Sequence, residues 1–140
     1  REKFVADFWN EKRSPRLMVP VTGLSQMDKN FLKKSLEIIY QHLSESDFNV
    51  NSFSKEMAMS RQAVHRKIRA LLDQSATEFI RFVRLNRAAE LLIQGSGTIS
   101  EIAYDVGFSS QSYFTRSFRS LFGQSPSDYL NSHNYLSPDN

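Results

Sequence analysis

Residues 99–129, with the sequence ISEIAYDVGFSSQSYFTRSFRSLFGQSPSDY, carry the clearest structural pattern in this chain. Thr98 and Glu101 have the spacing of a capping box, which predicts that a helix begins here. Gly107 interrupts the helical pattern with a turn, and a second helix is predicted over about residues 110–122. A short helix, a tight turn and a second helix form a helix-turn-helix motif.

The motif occurs twice, because the sequence resembles itself after a shift of 50 residues. The equivalent pairs are Ser60 and Ser110, Arg66 and Arg116, Ile68 and Phe118, Arg69 and Arg119, Leu71 and Leu121, Gln74 and Gln124, Ser75 and Ser125, Thr77 and Ser127, Glu78 and Asp128, and Phe79 and Tyr129. One extra residue in the second turn also aligns Phe53 with Ile102 and Met59 with Phe108. An internal repeat indicates two copies of one supersecondary unit. The two helix-turn-helix motifs are expected at about residues 50–72 and 98–122.

The remaining residues from Asp28 onward are also predicted to be helical. The apolar stripe of a first helix, which Asp28 can cap, consists of Leu32, Leu36, Ile39 and Leu43. A linker helix over about residues 75–93 is apolar over too wide an arc to be buried on one side only, so we expect it to pack against both motifs. At ~1.5 Å per residue it spans roughly 28 Å. Successive major-groove faces on one side of a duplex are ~34 Å apart, so the helix has a suitable length for a rigid spacer between two readers. We expect an all-α domain over residues 28–131, with two motifs facing one side of a duplex.

The second helix of each motif turns polar side chains outward. Those of the first copy are Arg61, Gln62, His65, Arg66 and Arg69; those of the second copy are Gln111, Ser112, Thr115, Arg116 and Arg119. Tyr113, Phe114 and Phe118 are expected to anchor the opposite side of the second helix. Arg pairs bidentately with guanine and Gln with adenine in the major groove, so both faces suit the reading of base edges.

Basic charge is concentrated in the first copy. Residues 60–87 contain seven Lys and Arg but two acidic residues, whereas the two arginines of residues 98–123 are balanced by Glu101 and Asp105. The first motif should therefore contribute more of the affinity for phosphates. The whole chain of 140 residues has a net charge of only +3.

Composition argues against an enzyme. The chain has no Cys, which excludes thiolate nucleophiles and Cys-based zinc sites, and His42, His65 and His133 lack metal-site spacing. A phosphate-binding glycine loop and a serine nucleophile elbow are also missing. We therefore predict no catalytic residue, no metal and no cofactor. A helical module that binds protein or RNA is the alternative, and weak dependence of binding on salt would favour it.

Residues 99–129 closely resemble the signature of AraC/XylS-type transcriptional regulators, and so does Arg84-Leu-Asn-Arg-Ala-Ala-Glu-Leu-Leu92. The resemblance covers roughly residues 30–131 and implies a seven-helix DNA-binding domain whose two recognition helices enter adjacent major-groove segments. The base-reading positions that it implies are Gln62, His65, Arg66, Gln111, Ser112, Thr115 and Arg116. The predicted phosphate contacts are Ser60, Arg61, Lys67, Arg69, Ser110 and Arg119.

Two residues depart from the family pattern. Asp73 stands where the family often has Gly, which predicts a different turn after the first recognition helix. Leu130 stands where the family usually has Arg, which removes one late polar contact. Neither change alters the expected fold.

Residues 1–27 are expected to be a linker from an upstream domain, with a short amphipathic segment around Phe4 and Trp9, and residues 132–140 a C-terminal tail. An N-terminal arm that packs on its own domain is the alternative for residues 1–27. The first 32 residues resemble the connector in hybrid two-component regulators, in which a receiver domain and often a histidine kinase and periplasmic sensor lie upstream. The resemblance implies an output domain in the cytoplasm, within a protein that the inner membrane can anchor. Double-stranded DNA is the predicted partner, RNA polymerase is a second candidate, and the upstream domains are expected to dimerise. An independent cytoplasmic response regulator and a one-component regulator with a small-molecule-binding domain are the alternatives.

Overall fold

A computed structural model describes residues 24–136, which form seven helices and no strand. The helices are α1 (Gln26–Gln41), α2 (Val50–Met57), α3 (Arg61–Leu72), α4 (Ala76–Gln94), α5 (Ile99–Asp105), α6 (Gln111–Phe122) and α7 (Pro126–Leu136). The prediction of an all-α, seven-helix fold is confirmed. The amphipathic segment predicted around Phe4 and Trp9 lies outside the described residues.

The described chain divides into two compact units. The first unit contains the residues up to His42 together with Phe48–Val83, and the second contains Leu43–Asp47 and the residues from Arg84 onward. Each unit includes one helix-turn-helix motif, formed by α2 and α3 in the first unit and by α5 and α6 in the second.

The first unit is built on apolar side chains that recur at helical spacing. The largest fully buried side chains in it are those of Leu32, Leu36, Ile39, Phe53, Val64, Ile68, Phe79 and Val83. Its first helix begins earlier than predicted, because Ser25 is the N-cap and its Oγ accepts a hydrogen bond from the backbone N–H of Asp28 at 3.1 Å. The prediction that Asp28 caps α1 is therefore wrong. Asp28 lies in the first turn, where its negative charge suits the positive end of the helix dipole.

Aromatic side chains fill much of the core of the second unit. Phe118 is fully buried, and its ring centroid lies 5.7 Å from that of Phe114, 4.5 Å from that of Phe122 and 5.3 Å from that of Tyr129. Leu43 packs against this core although its spacing assigned it to the stripe of α1, which ends at Gln41.

A left-handed residue follows each recognition helix. Asp73 (φ 56°) is the C-cap of α3, and Gly123 (φ 78°) is the C-cap of α6. The expectation that Asp73 changes this turn is therefore wrong, because Asp adopts the conformation that Gly adopts in the second copy. Asn and Asp enter this region more readily than other non-glycine residues, since their short polar side chains can hydrogen-bond locally.

Arg84 is a buried charge in the second unit, with 6% of its surface exposed. Its guanidinium donates hydrogen bonds to the carbonyl oxygens of Leu43, of Glu45 at 3.0 Å and of Val106 at 2.8 Å. These acceptors compensate for the water that the cation loses. Arg84 thereby fixes the Leu43–Asp47 segment to the end of α5, and it does not belong to the exposed basic charge that the sequence count implied.

Candidate nucleic-acid interface

The recognition helix of the first unit is α3, which exposes a polar face beginning at its N-terminus. Ser60 caps the helix, and its Oγ accepts a hydrogen bond from the N–H of Ala63 at 3.1 Å. Val64 and Ile68 are buried on one side. The residues exposed on the other side are Arg61, Gln62, His65, Arg66 and Arg69.

An open groove of about 1030 Å³ runs along this face. Its lining consists of Val50, Ser60, Arg61, Gln62, His65, Arg66, Ser75, Ala76 and Thr77. Three helix N-termini, those of α2, α3 and α4, therefore meet at the groove. The positive ends of the three helix dipoles favour anions, and the two arginines add full positive charge. The groove brings together all three base-reading residues predicted for the first motif and two of its predicted phosphate contacts.

The other two predicted phosphate contacts of this motif are engaged elsewhere. The Nζ of Lys67 lies 2.8 Å from Oδ1 of Asp28, and the hydrogen bond from Lys67 lowers the pKa of that carboxyl. Arg69 donates to the carbonyl oxygen of Asp73 at 3.3 Å, at the C-terminal end of α3. Neither residue lines the groove.

His65 has a backbone partner within the groove. Its Nδ1 accepts a hydrogen bond from the N–H of Ala76 at 3.5 Å. This contact links the middle of α3 to the first residue of α4, and it orients the imidazole beside Gln62 and Arg66.

In the second unit the recognition helix is α6, which begins after Ser110. The Oγ of Ser110 accepts a hydrogen bond from the N–H of Tyr113 at 3.2 Å. Phe114, Phe118 and Phe122 are buried. The predicted contact residues Gln111, Ser112, Arg116 and Arg119 are exposed, and Thr115 is half-buried.

Tyr113 was expected on the buried side of α6, but 42% of its surface is exposed. Its ring lies 5.5 Å from that of Phe108, and the guanidinium of Arg116 lies 6.0 Å from its centroid. The sequence could have indicated this position, because Tyr113 and Arg116 stand three residues apart and so share one face of the helix. Tyr113 thus joins the exposed face with Arg116.

Residues 24–136 lack the features of two other kinds of site. None of the described helices is long and apolar enough to cross a membrane. The same residues contain no cluster of three or more His, Asp or Glu side chains that could hold a metal ion.

Known proteins resemble this chain in sequence and in structure. The profile of the family described as "Helix-turn-helix domain" matches residues 53–132. "Histidine kinase P4" of Formosa agariphila is 39% identical over 108 residues, which are 77% of this chain but 8% of that protein. The C-terminal domain of AraT, a response regulator from Geobacillus stearothermophilus, is 30% identical with a TM-score of 0.66, over 79% of this chain and 88% of that one.

A second similar structure was solved with nucleic acid. The DNA-binding domain of AdpA, a global transcriptional factor in complex with a target DNA, is 26% identical with a TM-score of 0.68. The match covers 83% of this chain and 100% of that one. The family profile, the sequence matches and the fold agree, and the chain belongs to the AraC-type helix-turn-helix family of transcriptional regulators.

Proposed function

We propose that this chain binds double-stranded DNA in a sequence-specific manner to regulate transcription, with α3 and α6 as its recognition helices. The observation that carries the proposal is the exposed polar face at the start of each helix, opposite a buried apolar face. In helix-turn-helix proteins the N-terminal residues of the recognition helix meet base edges in the major groove. The AdpA domain, which was solved with its target DNA, supports the same use of this fold.

Base reading is assigned to the exposed side chains with forked or short polar ends. Arg66 and Arg116, which are equivalent in the repeat, are the candidates for guanine. Gln62 and Gln111 are the candidates for adenine. The further base-reading candidates are His65, Ser112 and Thr115.

Phosphate binding is assigned first to the groove of the first unit. Ser60 and Arg61 line it beside the N-termini of α3 and α4, where backbone N–H groups can donate to phosphate oxygens. Ser110 and Arg119 are the corresponding candidates in the second unit. Lys67 and Arg69 are weaker candidates. A phosphate has to compete with the carboxylate of Asp28 for Lys67, and with the carbonyl oxygen of Asp73 for Arg69.

We further propose that the domain serves as the output domain of a two-component regulator. The similarity to a small part of a histidine kinase and to the C-terminal domain of a response regulator supports this role. Dimerisation by upstream domains would place two such domains on neighbouring half-sites, so that binding of the second becomes intramolecular, at an effective concentration in the mM range for a short linker.

Selection of fragments from a random pool of duplex DNA tests the DNA-binding proposal. The 140-residue chain should enrich a defined sequence, and its affinity for that sequence should fall steeply with salt. A chain that enriches no sequence, or that binds with little dependence on salt, would favour a helical protein-interaction module.

Fusion of the chain to a constitutive dimeriser tests the output role. The fusion should bind a duplex with two sites at least about ten times more tightly than the unfused chain, with little gain on a single site. Equal affinities of both proteins on both duplexes would contradict control by dimerisation.

A further inference from the structure

The two units differ at the first residue of the helix that follows each recognition helix. α4 begins at Ala76 and α7 begins at Pro126, and the repeat aligns these two positions. Serine precedes both residues, and its hydroxyl caps the helix in both cases. Both first residues are buried. The difference is chemical: alanine has a backbone N–H group and proline has none.

The N–H of Ala76 needs an acceptor outside its own helix, because it lies in the first turn. Nδ1 of His65 accepts from it at 3.5 Å. Ala76 is 1% exposed, so the partner lies within the protein. A ring nitrogen that accepts a hydrogen bond carries no proton, and the proton of the neutral imidazole is then on Nε2.

We propose that Ala76 positions His65 so that its Nε2–H donates a hydrogen bond to the edge of a base. This inference rests on the proposed DNA-binding function and makes it more specific. Guanine, adenine and thymine all offer acceptors in the major groove, whereas cytosine offers only its amino donor. The first motif therefore discriminates against cytosine at the base that His65 contacts.

The second motif lacks this device. Thr115 stands at the position equivalent to His65, and Pro126 has no N–H with which to orient a side chain. A Thr hydroxyl can rotate and either donate or accept. The second motif is therefore expected to tolerate cytosine at the base that Thr115 contacts. The second motif thus serves as an internal control for the first.

Amide exchange in the free protein tests the contact without DNA. In the ¹⁵N-labelled chain, His65→Ala should accelerate exchange at the N–H of Ala76 about three- to tenfold, the loss expected for one neutral hydrogen bond. The N–H of Phe79, which donates to the carbonyl oxygen of Ser75 at 2.9 Å, is the control and should keep its rate. An unchanged rate at Ala76 would overturn the proposal.

Selection from a random duplex pool tests the consequence. The wild type should deplete cytosine about three- to tenfold at one position of the first segment. Ala76→Pro copies the residue of the second copy and removes the donor, while His65→Thr copies Thr115 and supplies a hydroxyl that can either donate or accept. Both variants should restore cytosine there and leave the positions read by α6 unchanged. Equal depletion by all three proteins, or no depletion by the wild type, would overturn the proposal.

The two experiments separate the failure of this inference from the failure of the proposed function. A wild type that binds no duplex would contradict the proposed function, and amide exchange would still decide whether Ala76 orients His65. Binding by all three proteins with one shared base profile would leave the proposed function intact and remove the role of Ala76. If Ala76→Pro fails to fold, amide exchange at Ala76 in His65→Ala decides whether Ala76 orients His65.

Discussion

A Cβ atom on Gly107 would lie 1.5 Å from Nη1 of Arg84. The turn between α5 and α6 thus closes directly over the buried guanidinium, which also donates to the carbonyl oxygen of Val106 at 2.8 Å. Gly107 has φ 90°, so a side chain here would be strained even in open space. The turn that positions α6 therefore depends on the fit between one glycine and one arginine.

Gly107→Ala should lower the free energy of unfolding by about 2–4 kcal/mol, because it combines overpacking against Arg84 with a left-handed backbone. Ala58 is the matched control, since it occupies the equivalent turn of the first motif with φ 58°. Ala58→Gly should change stability by less than about 1 kcal/mol, because relief of strain offsets the added entropy of the unfolded chain. Urea denaturation measures the change in unfolding free energy of both variants. Similar changes in the two variants would contradict this explanation.

The left-handed residues after the recognition helices should respond to substitution in opposite directions. Asp73→Gly should stabilise the protein by about 0.5–1 kcal/mol, because glycine adopts this conformation without the Cβ penalty. The side chain of Asp73 is 96% exposed, so loss of its pairing with Arg69 should matter little. Gly123→Ala should destabilise by about 1 kcal/mol, since a Cβ there meets no atom within 4 Å and backbone strain alone acts. Thermal unfolding of both variants should show shifts of opposite sign, and shifts of one sign would refute the argument.

Acid should weaken the capping boxes at the starts of α4 and α5. The backbone N–H of Ser75 donates to Glu78 at 2.8 Å and lowers the pKa of that carboxyl; the N–H of Thr98 acts in the same way on Glu101 at 2.9 Å. A depressed pKa in the folded state means that the carboxylate stabilises the fold above its unfolded pKa and loses this effect as the pH falls through the folded pKa.

Stability should therefore decline as the pH falls below about 4.3, the ordinary pKa of Glu. Glu78→Gln and Glu101→Gln keep an acceptor for the backbone but cannot titrate. Each should be less stable than the wild type at pH 7 and should show a shallower decline towards pH 3. Urea denaturation across this range measures the effect, and identical pH profiles for wild type and variants would exclude it.

Specificity and affinity should separate between neighbouring residues of α3. Arg66→Ala should cost roughly 1–3 kcal/mol of binding free energy and relax the preference at one base position, because a bidentate guanine contact is lost. Arg61→Ala should weaken binding to all sequences alike and lower the salt slope by about one. Lys67→Ala is the matched control, because Lys67 is a basic residue of the same helix that is paired with Asp28. It should change the salt slope less than Arg61→Ala does. Indistinguishable base profiles for the wild type and Arg66→Ala would remove Arg66 from the base-reading set.

The sequence predicted the parts of the fold that depend on local signals. The capping box of Thr98 and Glu101 fixed the start of α5, and the repeat predicted two motifs with equivalent outward faces. Contacts between residues distant in sequence were not predictable in this way. The burial of Arg84 depends on carbonyl groups near residues 45 and 106, and the orientation of His65 depends on an N–H eleven positions later. Hydrophobic periodicity describes each helix alone and does not show which distant residues contact that helix.

Footprinting shows whether both recognition helices read one duplex. On a sequence enriched by the wild type, saturating protein should protect two segments about one helical turn, or ~10 base pairs, apart. Arg66→Ala should weaken protection of one segment and Arg116→Ala that of the other. A single protected segment in the wild type at saturation, or loss of the same segment in both variants, would contradict the account.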